Sequence, residues 1–478
     1  MTEFFIERPV RDGPTGRHVS RGTEPGSAPP STSVSAPPLG VKMTRALRVI
    51  VAVQMIAVMA FGSITIMKYP LWSLVDEGAH FDNIAYIAQH GSLPVLGHAL
   101  ATEQELAIAE GLDPTHASID PRKHGLGGLA YEAFQPPLYY YLATPAFFLS
   151  SDYHTKAIIL RFFGLGLFVV AIALLARLSR HVLKRRWLIG LAGGMLIFLM
   201  PGVMVRAVTI SDVNLAVPIA IATVTELWIA WERRSSYRVI TAGLLVGCGV
   251  LTDLYLAEMV PIFIVVAVIT MVGNVSRAHR IRCVAGVALA AAVTVPWFVF
   301  NEIHYKALTA SNLAKKEQLS TVNRHHLHFG LSEIPGLTVQ TLFAPLMPQE
   351  WSTWLTGHDL LVYGATLFEV CIVPAAIVLA VALWRRTLQS GYWILILPWL
   401  CNIALCWYID YGQQWQSGAM VARYTYPTLV ILGLFTAAAA SVFIRSNRTW
   451  LVTLITGTAF LIVLWGHLVP SIHDTLVA

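Results

Sequence analysis

Charged side chains are scarce in this chain of 478 residues: Asp, Glu, Lys and Arg make up 13% of it, whereas hydrophobic residues make up 56%. Soluble proteins average about 25% charged residues. A surface with so little charge cannot face water over several domains, which excludes a soluble multidomain protein. The composition instead predicts an all-α polytopic membrane protein.

Cysteine is scarce as well. The chain has five, all of which lie in or beside apolar runs and none in the long polar loops. This placement argues against a disulfide framework. The formal net charge of +6 has to be interpreted by location, because basic residues in membrane proteins mark the cytoplasmic side. It therefore predicts no nucleic-acid partner.

Large apolar residues are nearly absent from Gly13 to Pro38, a stretch rich in Pro, Ser, Gly and Thr. Such a segment cannot bury enough surface to offset the entropy lost on ordering it. We therefore predict a disordered cytoplasmic tail over residues 1–44. The first apolar run begins near Val49 and lacks a small-residue cleavage site, so we interpret it as a membrane anchor rather than a signal peptide.

Eleven apolar runs have, or nearly have, the roughly 20 residues that a helix needs to cross a bilayer. They are 49–67, 157–179, 187–205, 213–231, 239–254, 256–273, 284–300, 361–384, 392–409, 425–444 and 450–469. A further segment, 137–150, would reach only about 20 Å as a helix, which is shorter than the hydrocarbon core.

Basic residues orient these spans. If 137–150 does not cross, 18 Lys and Arg residues in short loops or at span ends share a side with the amino terminus, which the positive-inside rule places in the cytoplasm. We predict about 11 transmembrane helices in the plasma membrane, with 137–150 an interfacial or re-entrant helix on the outer face. The predicted module 45–300 includes the outer loop 68–156. A second outer loop, 301–360, and C-terminal helices, 361–478, follow it.

Two adjacent carboxylates, Asp76 and Glu77, come a few residues after the first span. Charges held close to the lipid surface are costly and usually mark a functional site. The alternative is that both residues cap the helix predicted from Phe81 to His90. The site is expected to be extracytoplasmic in either case.

A proline-tyrosine element lies farther along the same loop, where Glu132 is followed by Gln135-Pro136-Pro137-Leu138-Tyr139-Tyr140. The prolines can start a short helix, because proline is tolerated in the first turn. The tyrosines either contact a substrate or anchor the helix at the membrane interface.

An Asp-Glu pair after the first span, a long loop and this Gln-Pro-Pro-Leu-Tyr-Tyr element together resemble the GT-C superfamily of membrane glycosyltransferases. Protein O-mannosyltransferases and the aminoarabinose transferases of lipid A belong to it. The resemblance runs from about residue 49 to 430. It implies a GT-C-like fold with interfacial helices in the first outer loop. It also implies membrane lipid as surroundings and a polyprenyl-phosphate sugar as the donor on the outer face.

Further motifs resemble the superfamily in the same order along the chain. They are Arg161 opening the second span, Arg206 to Asp212 after the third, Pro296-Trp297 with Asn301 and Tyr305, and Arg423-Tyr424. Two positions depart from the superfamily's pattern. Gln135 replaces the commoner histidine, and Asp253 stands where many members have lysine, which puts a phosphate contact there in doubt because an acid repels phosphate.

Inverting glycosyl transfer needs one carboxylate as general base, and cationic groups or a metal to stabilise the departing phosphate. We predict Asp76 as the base and Glu77 as the residue that orients the acceptor or holds a metal. Arginine binds phosphate through a bidentate fork, although interfacial arginines also snorkel toward headgroups. The predicted substrate-binding residues are Gln135, Tyr139, Arg161, Arg206, Asp212, Arg423 and Tyr424.

Histidines are concentrated in the two outer loops, which hold 11 of the 16. His80 follows Asp76 by four residues, so on a helix both would share one face. A loose histidine cluster in the second loop suits a divalent metal, a candidate cofactor, and the alternative is a set of ordinary polar loop residues. The predicted metal ligands are Glu77, His80, His325, His326 and His328.

Two other functions stay open at this point. A transporter or flippase of a lipid-linked substrate would carry ionisable residues near the bilayer midplane and often two related halves. Here only Glu226 and Glu369 are clear acidic residues inside predicted spans, and the sequence shows no internal repeat. A ligase or polymerase of lipid-linked oligosaccharide would keep the fold and change the reaction. The sequence leaves the sugar and the acceptor undetermined.

Overall fold

The computed structural model describes residues 39–69, 71, 77–96, 131–309, 390–407, 425–444 and 446–475. Every regular element within these ranges is helical, which confirms the predicted all-α fold. The α-helices are α1 Val41–Lys68, α2 Glu77–His90, α3 Leu138–Phe147, α4 Tyr153–Leu183, α5 Trp187–Phe198, α6 Pro201–Ala207, α7 Val213–Arg233, α8 Ser236–Val250, α9 Met259–Met271, α10 Arg277–Tyr305, α11 Trp393–Trp407, α12 Tyr426–Phe443 and α13 Asn447–Thr475.

Six helical stretches are long and apolar enough to cross a membrane: Val41–Lys68, Tyr153–Phe198, Val213–Arg233, Leu254–Met271, Arg277–Tyr305 and Asn447–Gly466. Three shorter apolar helices are Ser236–Val250, Trp393–Leu405 and Tyr426–Ser441. Ten predicted spans fall on these stretches, and the run at 361–384 lies outside the described residues. The multi-pass membrane fold is confirmed. α1 begins at Val41, inside the segment predicted as tail, whose first 38 residues lie outside the described part.

The segment predicted to stay at the interface forms α3, which has 10 residues and a length of about 15 Å. Tyr140 and Phe147 pack inward, whereas Tyr141 and Leu142 on the opposite side are exposed. The backbone N–H of Leu138 donates to the carbonyl of Leu251 at 2.8 Å. This bond attaches the start of α3 to the turn that follows α8.

The third predicted span is broken into α5 and α6, because Pro201 at the start of α6 has no N–H with which to continue the helix. The break is stabilised from outside. The Leu199 carbonyl accepts a hydrogen bond of 2.8 Å from the indole of Trp465, whose ring stacks on Phe61 with centroids 5.3 Å apart. The break in the helix is thereby tied to both α1 and α13.

α8 and α10 approach each other closely. A Cβ built on Gly243 would lie 2.1 Å from the Gly286 carbonyl oxygen, and one built on Gly286 would lie 2.8 Å from the Val239 carbonyl oxygen. Glycine at both positions removes the atoms that would separate the two backbones, as in other membrane helix pairs.

Basic side chains gather at the end of the bundle where α4 and α7 end and α8 begins. The buried Glu226 pairs there with Arg177 and with Arg238, the latter at 2.9 Å. Lys184 pairs with Glu232 at 3.2 Å. Connectivity puts the end of α1, the start of α4 and the turn from α6 to α7 at the opposite end, where the candidate site lies.

Candidate active site

A buried ion pair between Glu77 and Arg161 lies at the centre of the site. The Nε and Nη2 atoms of Arg161 donate to the two carboxylate oxygens of Glu77 at 2.7 and 2.6 Å, and both side chains are fully buried. Glu77 is the first residue of α2, where a negative charge also interacts favourably with the helix dipole. Bidentate geometry fixes the start of α2 against α4.

The same pair reaches two other segments. Nη1 of Arg161 donates to the carbonyl of Tyr69 at 2.7 Å and to that of Ile66 at 3.3 Å, so it satisfies carbonyl groups at the end of α1. The backbone N–H of Ile210, in the turn between α6 and α7, donates to Oε1 of Glu77 at 3.3 Å. One ion pair therefore connects four segments at this end of the bundle.

His80 lies one helical turn after Glu77 and contacts α3 and the turn between α6 and α7. Its Nδ1 is 2.8 Å from the hydroxyl of Tyr140 on α3, and its Nε2 is 3.9 Å from Oδ1 of Asp212. Asp212 caps α7 by accepting a hydrogen bond from the N–H of Val213 at 2.9 Å. Both Asp212 and His80 are buried.

The two tyrosines that open α3 are buried beside these carboxylates. Burial, with a further contribution from Asp212, raises the pKa of Tyr139 and raises the pKa of Tyr140 well above the ordinary value. Both hydroxyl groups are therefore protonated near neutral pH. Tyr140 can donate to Nδ1 of His80, which leaves the imidazole proton on Nε2, facing the Asp212 carboxylate.

Gln135 takes part in a second polar group beside α2. Its side-chain amide donates to Oε2 of Glu132 at 2.7 Å, and the Asn83 amide donates to the Glu132 backbone carbonyl at 2.8 Å. Glu132 and Asn83 are buried. Sequence reasoning missed both residues and Tyr140 as site residues. A signal for Glu132 was available, because charged residues make up only 13% of this chain and each one is therefore a candidate site residue.

The structure brings together Glu77, His80, Tyr139, Arg161 and Asp212. Arg206 is half-buried in the last turn of α6, just before the turn that carries Asp212. Other predicted site residues lie outside the described ranges: Asp76, His325, His326, His328, Arg423 and Tyr424.

The contacts of Glu77 and His80 do not favour a metal ion between them. Arg161 engages both oxygens of Glu77, and Tyr140 and Asp212 face the two ring nitrogens of His80. Within the described ranges, no group of three or more His, Cys, Asp or Glu side chains is arranged to hold a metal. The histidine cluster of the second outer loop stays a prediction.

The chain is similar to two solved membrane proteins. One is the Archaeoglobus fulgidus oligosaccharyltransferase in complex with zinc and sulfate: the TM-score is 0.46 at 16% identity, over 86% of this chain and 52% of that one. The other is ArnT from Cupriavidus metallidurans bound to undecaprenyl phosphate: the TM-score is 0.37 at 13% identity, over 84% of this chain and 77% of that one. Both are GT-C glycosyltransferases.

The apo state of the same ArnT gives a TM-score of 0.37 at 12% identity. This chain spans about half the length of the archaeal enzyme. No protein-family model and no curated protein matches it. At these TM-scores the similarity assigns no role to any residue of this chain.

Proposed function

We propose that this protein is a membrane glycosyltransferase that moves a sugar from a polyprenyl-phosphate donor to an acceptor on the extracytoplasmic face, with inversion. The observation that carries the proposal is the buried Glu77–Arg161 pair, which fixes the start of α2 in a charge-poor chain. Asp76, the proposed base, directly precedes Glu77 in the sequence.

The reaction needs few groups. The Asp76 carboxylate takes the proton of the acceptor hydroxyl while the hydroxyl oxygen attacks the anomeric carbon of the sugar. The bond between that carbon and the phosphate oxygen breaks, and the polyprenyl phosphate leaves with the electron pair. A base held in position contributes about 10²- to 10⁴-fold to such a step. Attack from the face opposite the phosphate inverts the anomeric centre.

Glu77 and Arg161 have positioning roles in this proposal. All three guanidinium nitrogens of Arg161 donate to protein groups, and the side chain is fully buried. Arg161 is therefore better suited to holding Glu77 than to binding the departing phosphate. Arg206 and Arg423 are the proposed phosphate ligands, because a guanidinium group can stabilise the charge that develops on the leaving oxygen.

The His80–Tyr140–Asp212 group is proposed to hold the candidate site together. It connects α2, α3 and the cap of α7, and so stabilises the part of α2 that follows Asp76 in the sequence. Tyr139 and Gln135 are proposed to contact the sugar or acceptor. The proposed steps use no metal ion between Glu77 and His80, because protein groups engage both side chains.

The proposal is tested with membranes that contain the full chain and a labelled polyprenyl-phosphate sugar. Asp76→Asn is expected to reduce transfer about 100-fold or more at equal protein level. Glu302→Gln is the matched control, since Glu302 is an exposed acid at the same end of the bundle, on α10. Full transfer by Asp76→Asn would contradict the assignment.

A second measurement separates transfer from transport. Reconstituted vesicles are loaded with the labelled donor on one side, and the product is analysed for a new glycosidic bond. Formation of that bond in an Asp76-dependent reaction supports the transferase. Movement of intact donor across the bilayer without bond formation would overturn it in favour of a flippase. If the product is an extended lipid-linked oligosaccharide, the reaction is that of a ligase or polymerase.

A further inference from the structure

A second buried carboxylate group lies at the same end of the bundle and has no part in the proposed transfer. Asp253 precedes and Glu258 ends the short 3-10 helix Leu254–Glu258, between α8 and α9, and 3% and 6% of their surfaces are exposed. Asn402, on α11, is 1% exposed and its side chain faces Glu258. The group thus joins two segments that are distant in sequence.

Glu258 is the exceptional member. Both of its carboxylate oxygens are buried, and neither has a partner at hydrogen-bonding geometry in the described part of the chain. The Asn402 amide is near enough to favour the carboxylate, whereas the Asp253 carboxylate repels it. Among the described residues, no basic side chain forms an ion pair with Glu258. A buried carboxylate in such surroundings needs a neutralising species.

The Asp253 carboxylate already accepts a hydrogen bond. Its Oδ1 accepts a hydrogen bond from the backbone N–H of Tyr255 at 2.9 Å, which caps the 3-10 helix. A divalent cation between the two side chains would neutralise the buried charge of Glu258. Two carboxylates and an amide also supply the oxygen ligands that hard cations such as Ca²⁺ and Mg²⁺ prefer.

We propose that Asp253, Glu258 and Asn402 form a site that binds a divalent cation through oxygen ligands, separate from the Glu77–Arg161 pair. The hydrogen bond from Leu138 to Leu251 attaches this segment to the start of α3, which carries Tyr139 and Tyr140. Cation binding is therefore expected to stabilise α8, α9 and α11 against one another beside the transfer site.

The site is tested on the purified full chain in detergent after removal of metals by a chelator. Millimolar Mg²⁺, Ca²⁺ or Mn²⁺ is expected to raise the Tm by about 2 °C or more relative to choline chloride of equal ionic strength. Glu258→Gln, which keeps the shape and removes the charge, is expected to lose the shift. Glu302→Gln, the exposed control, is expected to keep it. An unchanged shift in Glu258→Gln overturns the proposal, as does the absence of a shift in the wild type.

A direct measurement covers the case in which Glu258→Gln does not accumulate. Titration of the wild type with Mn²⁺, followed by electron paramagnetic resonance, is expected to show one bound ion per chain. Asn402→Asp adds a carboxylate and is expected to tighten binding, because affinity rises with the charge of the ligands. Binding that is unchanged in Asn402→Asp, or a wild type that is stabilised only by acidification and never by cations, overturns the site.

The outcome is independent of the transferase proposal. Asp76→Asn is expected to abolish sugar transfer and to retain the cation-dependent Tm shift. A chain that binds the cation at Glu258 and transfers no sugar would contradict the proposed function alone. A chain that transfers sugar and shows no cation response would contradict the cation site alone.

Discussion

The carboxylate of Glu77 receives two hydrogen bonds from the guanidinium group of Arg161, and neither side chain is exposed to solvent. Two opposite charges in such a position are costly to desolvate, and they are tolerated because each neutralises the other. The pair also satisfies backbone groups at the end of α1 and in the turn before α7. It therefore fixes the start of α2, whose first residue directly follows Asp76 in the sequence.

Removal of either partner of this pair is expected to leave an uncompensated buried charge. Glu77→Gln and Arg161→Met should each lower the free energy of unfolding by about 3–5 kcal/mol, whereas the double variant should recover most of the loss. The measurement is reversible unfolding in detergent as a double-mutant cycle. Losses that simply add in the double variant would contradict the coupling.

Tyr140→Phe is expected to leave Nδ1 of His80 without its donor, at a cost of about 1–3 kcal/mol. Tyr141→Phe, on the exposed side of α3, is the matched control. Because the pKa of Tyr140 is raised by burial and then by Asp212, the contribution of its hydroxyl is fully present below about pH 10 and is lost as the pH rises through the folded value. Unfolding of both variants at several pH values checks this, and a difference that changes between about pH 6 and 9 would refute it.

The close approach of α8 and α10 predicts unequal effects of two Gly→Ala substitutions. At Gly243 the new Cβ would meet the Gly286 carbonyl oxygen at 2.1 Å, whereas at Gly166 it would meet nothing within 4 Å. Gly243→Ala is expected to separate the helices and lower the Tm. Gly166→Ala is expected to be neutral or stabilising by up to about 1 kcal/mol, since alanine is the better helix former. Equal Tm values for the two variants would show that the helices do not pack this closely.

The start of α4 provides a prediction on pH. Asp152 accepts hydrogen bonds from the backbone N–H and the hydroxyl of Thr155 at 2.7 and 2.6 Å, and these bonds lower the pKa of its carboxyl group. Its stabilising contribution is therefore present above the unfolded pKa and is lost as the pH falls through the lowered folded value. Asp152→Ala is expected to have a slightly lower Tm than the wild type near neutral pH, and this difference is expected to disappear in acid. Asp152→Asn, which keeps an acceptor at the cap, is the control variant. A deficit that persists in acid would exclude the charge as its cause.

Much of the fold follows from local properties of the sequence. Ten predicted spans fall on described helices because the length of an apolar run and the width of a bilayer are both local constraints. The short α3 was predicted for the same reason. The break between α5 and α6 was not predicted, although Pro201 is a local signal for it. The contact that stabilises the break has no such signal, since Trp465 is 266 residues away from Leu199 in the chain.

The candidate site was predictable only in part. Glu77, Arg161 and Asp212 were selected by their residue type and order, and the structure brings all three to one end of the bundle. The sequence did not show which group Arg161 contacts. Arginine binds a substrate phosphate and a buried carboxylate through the same guanidinium group, so the residue type alone does not distinguish the two roles. Glu132 and Asn83 were not predicted for a related reason. A polar residue in a loop or on a helix is usually exposed to water, and nothing nearby in the sequence indicates that these two are buried.

By itself the sequence determined that this chain is an all-α multi-pass membrane protein, because hydrophobicity and length act within each helix. It also determined which few ionisable residues were available for chemistry. Only the tertiary structure decided their partners. In it Arg161 forms an ion pair with Glu77, His80 lies between Tyr140 and Asp212, and Glu258 is buried beside Asp253. Pairing of charges depends on distances between helices that are far apart in the chain, and only their packing sets those distances.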